Sequence, residues 1–288
     1  MGDESSARLA AQIKHLTQGK RPEELTGVLA SVLSNPESSL DAAKLVWDFF
    51  HRPDLVMRVI CDAIKPYEKG GKPEKACDLV RHMAADGREA VPSIRSLIQS
   101  TLVYDTLWAA VDALAAVGPD SSSVAPELLG LLDHRSGRVA SGAAHALARI
   151  GPSTLPALLE KLERGTPREQ EFAADALGQI GSAAKDALPL LQRLGLDPPS
   201  DSKGDFATWM TLAMAEISLV PDFGLALLVM AKTESDEALV ERARSALKRI
   251  GVSESKVIKQ LRCDLAEAEK NSPAEAESLR DALKALTS

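Results

Sequence analysis

One short string recurs through the middle of the chain and limits what it can fold into. Residues 110–118 read A-V-D-A-L-A-A-V-G, and the pattern returns at 143–151 (A-A-H-A-L-A-R-I-G) and 173–181 (A-A-D-A-L-G-Q-I-G). A further copy, 243–251, reads A-R-S-A-L-K-R-I-G, and a degenerate one lies between at 210–218 (M-T-L-A-M-A-E-I-S). Gly118, Gly151 and Gly181 are 33 and 30 residues apart, and Gly251 follows after 70, about two periods. A period of this size marks a stack of like units rather than two ordinary globular domains.

Within each copy the apolar residues fall at i, i+3, i+4 and i+7, one face of a helix. Alanine at the first and fourth positions permits close approach of a neighbouring helix, and the closing glycine can adopt the left-handed geometry that ends one. A second marker shares the period: Pro92, Pro126, Pro156, Pro189 and Pro221 are 34, 30, 33 and 32 residues apart. Proline is tolerated in a helix's first turn, so each one starts a second helix. A helix ending at glycine, a short turn and a proline-started helix make a hairpin, and hairpins that cannot bury their apolar faces alone stack into a solenoid. The residues A-x-x-A-L-x-x-[IV]-G followed by [AVL]-P-x-[LI] resemble the HEAT repeat, in particular the phycobilisome-lyase-type HEAT-like repeats. The resemblance covers about 84–251 and implies an all-α, right-handed α-solenoid of roughly seven hairpins.

The expected organisation is one continuous solenoid with divergent N-terminal hairpins over 1–72, repeats over 73–251 and a charged helical cap over 252–288. Residues 41–50 and 73–84 read as amphipathic helices, with a turn at 70–73, and 195–205 (G-L-D-P-P-S-D-S-K-G-D) reads as a mobile loop. The most apolar stretch, 206–231, reads as core filling of a degenerate repeat, with a docking face as the alternative reading. Composition agrees with packed helices: 45% of residues are hydrophobic, yet only 3% are aromatic, whereas sheets favour β-branched and aromatic side chains.

Charge and cysteine usage narrow the function. A net charge of −7 disfavours a general nucleic-acid binder, which needs surplus Lys and Arg to displace phosphate counterions. Three cysteines, Cys61, Cys77 and Cys263, make no C-x-x-C pair and no disulfide framework; Cys61 and Cys77 read as small buried residues. With no basic and apolar leader and no run long enough to span a bilayer, the expectation is a cytoplasmic protein with no membrane association. The five histidines form no metal-binding pair on a helix face, and no phosphate-loop or nucleophile-elbow string occurs, so neither metal nor cofactor is expected.

The resulting expectation is a non-catalytic scaffold that presents the surface of its second helices to a protein or peptide. The residues singled out there are Glu127, Glu160, Lys161, Arg164, Gln192 and Arg193, all polar and on or at the end of proline-started helices. Two enzymatic alternatives follow from resemblance. A phycobilin lyase needs cations near an apolar groove, and Arg135, Arg138, Lys161, Arg164 and Arg168 supply positive charge. Trp108, Asp112, Arg149 and Trp209 are loosely similar to the groove residues of helical-repeat DNA glycosylases, with Trp108 and Asp112 one helical turn apart.

Overall fold

The computed structural model describes residues 2–19, 22–34, 39–64, 72–202, 206–218 and 254–271, with six single residues between 244 and 284. All regular structure among them is helical, and contacts divide the chain into two compact units, residues 1–151 and 152–288. The repeat at 243–251, the turn at 70–71 and the stretches 203–205 and 219–231 lie outside the described residues, apart from Arg244 and Lys248, which are helical.

The first unit is a run of helical hairpins. Its first helices are α1 (Gly2–Thr17), α3 (Ser39–Phe50), α5 (Pro73–Met83), α7 (Tyr104–Val117) and α9 (Gly137–Ile150). Alternating with them are α2 (Pro22–Leu33), α4 (Pro53–Ala63), α6 (Val91–Ser100) and α8 (Ala125–Gly130). Helix α7 packs along both α5 and α9, and each second helix also lies against the first helix of the next hairpin. The second unit continues with α10 (Leu155–Arg164), α11 (Pro167–Ile180), α12 (Leu188–Leu196), α13 (Phe206–Ser218) and α14 (Glu254–Asn271). There α11 packs on α13, and α12 packs on α13 as well. This is an all-α fold of the solenoid class.

The recurring string dictates the tight first-helix layer. Ala110, Ala113, Leu114, Ala143, Ala146, Leu147, Ala173, Ala176 and Leu177 are all fully buried. Small residues bring helix axes together, and the leucines fill what remains at the density of an organic crystal. Burying one leucine contributes roughly 1.5–3 kcal/mol. The described half of the apolar stretch is core of the same kind: Phe206, Met210, Leu212 and Ala213 are at most 1% exposed.

The hairpin turns differ from a plain short turn. After the first helices the chain runs through 3₁₀ segments at Ala84–Ala90, Gly118–Val124, Pro152–Thr154 and Gly181–Ala187 before the proline-started helix begins. The prolines at 92, 126, 156 and 189 occupy the first or second helical position, where a missing N–H costs no internal bond. In one turn Ser121 Oγ reaches the carbonyls of Leu114 and Gly118 at 3.1 and 2.6 Å, tying the 3₁₀ segment back to the end of α7.

Backbone conformation extends the repeat well beyond its sequence signature. Among the described residues φ is positive only at Gly19, His51, Ala84, Gly118, Gly151 and Gly181. Those positions are 32, 33, 34, 33 and 30 residues apart. Each follows a first helix, so the N-terminal hairpins keep the same period as the clear repeats. His51 and Ala84 hold the positive φ that glycine holds later. For Ala84 the geometry (φ 52°, ψ −126°) matches Gly118 (φ 72°, ψ −132°). At His51 the ring Nδ1 lies 2.7 Å from the Trp47 carbonyl, which also accepts the backbone N–H of His51.

Helix α12 ends at Leu196, so the expected loop at 195–205 starts two residues later, at Asp197. Cys77 is fully buried, and burial pushes its thiol up to about 12, with Glu74 and Asp78 adding to the effect. Cys61, expected to be buried, is only half-buried, and Cys263 is exposed.

Candidate partner-binding surface

The second helices turn one face inward and leave a polar face in water. On α10, Leu158 and Leu162 are fully buried, while Glu160 and Arg164 are exposed. On α12, Leu191 and Leu194 face inward, and Gln192 and Arg193 are exposed. Helices α10 and α12 touch each other, so these four side chains occupy one part of the second unit. Arg164 is 74% exposed and its Nε lies 3.7 Å from Glu163, a loose pair that water competes with.

Two of the six singled-out residues are instead tied into the fold. Lys161 Nζ pairs with Glu169 of α11, and the Glu169 side chain also accepts the Thr166 N–H at 2.9 Å. Thr166 Oγ1 accepts the Glu169 N–H at 3.2 Å, completing a capping box at the start of α11. Gly165 makes this possible, since a Cβ there would clash with the Lys161 carbonyl. Gln170 adds a further tie, donating from Nε2 to the Leu162 carbonyl at 3.0 Å.

Glu127 of α8 is held in the same way within the first unit. Its Oε1 accepts from Arg95 Nε at 2.6 Å and from Gln99 Nε2 at 2.8 Å, both on α6. Burial pushes its carboxyl up, but these donors outweigh that and hold it below the usual carboxylate value. Burial also acts on Glu169, and Lys161 with the Thr166 N–H brings it below its usual value. A lowered carboxylate stabilises the folded chain above its unfolded value, about 4.5, and loses that contribution as pH falls through the folded value. Glu127→Gln is therefore expected to cost about 1 kcal/mol at pH 7, a charge-assisted bond discounted for the solvent around Arg95. Urea titrations of wild type and variant should draw together as pH falls below about 4.5; a difference that does not shrink in acid would disprove the assignment.

The glycosylase-like groups are also engaged. Arg138 stacks on Trp108 with its guanidinium carbon 3.7 Å from the ring centroid, and Asp112 Oδ2 lies 3.3 Å from Arg81 Nε. Arg149 is exposed, while Trp209 meets the Phe172 ring at 6.3 Å. Of the cations considered for a lyase, Arg135 lies over Tyr104 and Arg168 over Phe172.

Sequence reasoning missed these pairings, although their spacing carries a signal. Asp48–His82, Glu74–Thr106, Arg81–Asp112, Arg95–Glu127 and Trp108–Arg138 each join residues about one repeat apart. Complementary side chains separated by one period are the sequence trace of contacts between neighbouring hairpins.

The buried alanine–leucine layer, the glycine-type reversals and the proline-started helices together define a helical-hairpin repeat protein. Residues 125–205 match the family model of HEAT repeats. Among solved structures, the chain is similar to one in the complex of CpcE and CpcF of phycocyanin lyase from Nostoc sp. PCC7120. That likeness has 21% identity and a TM-score of 0.46, covering 81% of this chain and 94% of the other. An engineered protein is similar at 17% identity and a TM-score of 0.39, covering 73% and 96%. Among curated protein sequences nothing matches the chain.

Proposed function

We propose that the chain is a non-catalytic HEAT-repeat scaffold that binds a protein or peptide through its second-helix surface. The observation that carries this reading is the exposure of Glu160, Arg164, Gln192 and Arg193 on adjoining helices whose opposite faces are locked in the core. A surface fixed by a rigid layer can meet a partner without first paying to order itself. Lys161 supports one of the helices that present it through its pair with Glu169.

The test compares affinity capture by wild type and by Arg164→Glu/Arg193→Glu from lysate of the source cells, read by mass spectrometry. A protein recovered by wild type and depleted about tenfold or more by the double variant is the expected result, roughly 1.4 kcal/mol of binding. Equal recovery by both chains would remove the second-helix surface from the interaction.

A further inference from the structure

The segments that open α7 and α9 expose an apolar and cationic patch that the second-helix surface does not include. Leu102 is 90% exposed, Val103 51% and Tyr104 36%. Isolated exposed apolar residues are ordinary, but three in succession beside fixed cations are not. Arg135 lies 4.6 Å above the centroid of Tyr104, whose ring also meets His134 edge-on at 5.4 Å. One helical turn further, Trp108 carries Arg138 at 3.7 Å.

Both guanidinium groups are exposed, and among the described residues neither has a carboxylate within ion-pair distance. Elsewhere Arg52, Arg81, Arg95, Lys161, Arg164 and Arg280 have carboxylates within reach. Here the aromatic rings take that place. Stacking holds a guanidinium plane still while leaving its N–H edges free to donate, often in pairs, to a carboxylate. The acidic residues adjoining in sequence are Asp105 and Asp133. The first lies in the opening turn of α7, where the helix dipole favours it, and the second already has a partner in the fold.

We infer that Leu102, Val103, Arg135 and Arg138 form a docking site for an acidic peptide segment with an apolar anchor. The anchor covers Leu102 and Val103, and its flanking Asp or Glu carboxylates take the in-plane N–H edges of the two arginines. This site lies in the first unit and stands independently of the second-helix surface.

The probe is a fluorescein-labelled peptide of glutamate and leucine in helical order, with a lysine-for-glutamate counterpart as control. Anisotropy should show binding of the glutamate peptide that weakens with added salt. Arg135→Glu/Arg138→Glu should lower the affinity tenfold or more, and Leu102→Ser should lower it severalfold, with circular dichroism melts verifying that each variant is folded. Leu102 projects from a turn, so its variant reads the contact even if the arginine variant unfolds. Undiminished binding by either folded variant, equal binding of the lysine peptide or absence of binding would overturn the proposal. Loss of probe binding in Arg164→Glu/Arg193→Glu would also overturn it, since the probe would then be reading the other surface.

Discussion

Gly178→Ala is expected to destabilise the chain by about 1 kcal/mol net, although the same exchange in an exposed helix gains roughly 1 kcal/mol. Gly178 lies inside α11, where a Cβ would come 2.5 Å from Glu216 Oε2 and 3.1 Å from the Cα of Ala213, both on α13. The carboxylate is itself buried, 7% exposed, and so has little room to retreat. The Ala213 contact involves main chain, so relief requires α11 and α13 to separate. Overpacking of this kind costs about 1–3 kcal/mol, enough to reverse the propensity gain. Urea unfolding of the purified chains measures it. An unchanged or higher midpoint would mean that the two helices yield freely, and that the alanine layer is less close-packed than its burial indicates.

A paired exchange at the hairpin reversals should move stability in opposite directions. Gly118→Ala forces a side chain into φ 72°, ψ −132°, a conformation that costs other residues about 1–3 kcal/mol. Space is not the obstacle, because the added Cβ would meet its nearest neighbour, the Arg149 carbonyl, at an ordinary 3.6 Å. Lower entropy of the unfolded chain returns about 0.4–1 kcal/mol, leaving a net loss of about 1–2 kcal/mol. Ala84 already bears that strain at φ 52°, ψ −126°. Ala84→Gly releases it, so a net gain of about 1 kcal/mol is expected. Thermal melts of both variants test the pair. Shifts in the same direction would show that the two reversals are not equivalent.

These two residues also show how far the sequence could be read. Helices α7, α9 and α11 were legible because alanine, leucine and glycine each do a separate task there: close approach, groove filling and termination. The N-terminal hairpins lack that signature because His51 and Ala84 stand where the later hairpins carry glycine, and residues other than glycine hold the positive φ there. The 3₁₀ segments were hidden for a related reason: their Ala, Ser and Asp residues also suit ordinary turns. For the binding surface, exposure of Glu160, Arg164, Gln192 and Arg193 followed from helical periodicity alone. The engagement of Glu127 and Lys161 did not, because Arg95 and Glu169 lie on other helices and only the three-dimensional stack brings them near. Leu102 escaped notice because an apolar residue in a turn has no periodic pattern to violate.

The regular succession of reversed backbone positions makes the first unit modular in an engineering sense. Ala84 and Gly118 end their helices with nearly the same φ and ψ and launch the same kind of 3₁₀ segment. The stretch 85–118 therefore begins and ends on matching backbone directions. Excising it would join Ala84 to Pro119 across a seam the chain already uses, and duplicating it would lengthen the stack by one hairpin. The natural splice points are thus marked by torsion angles, independently of which side chain occupies them.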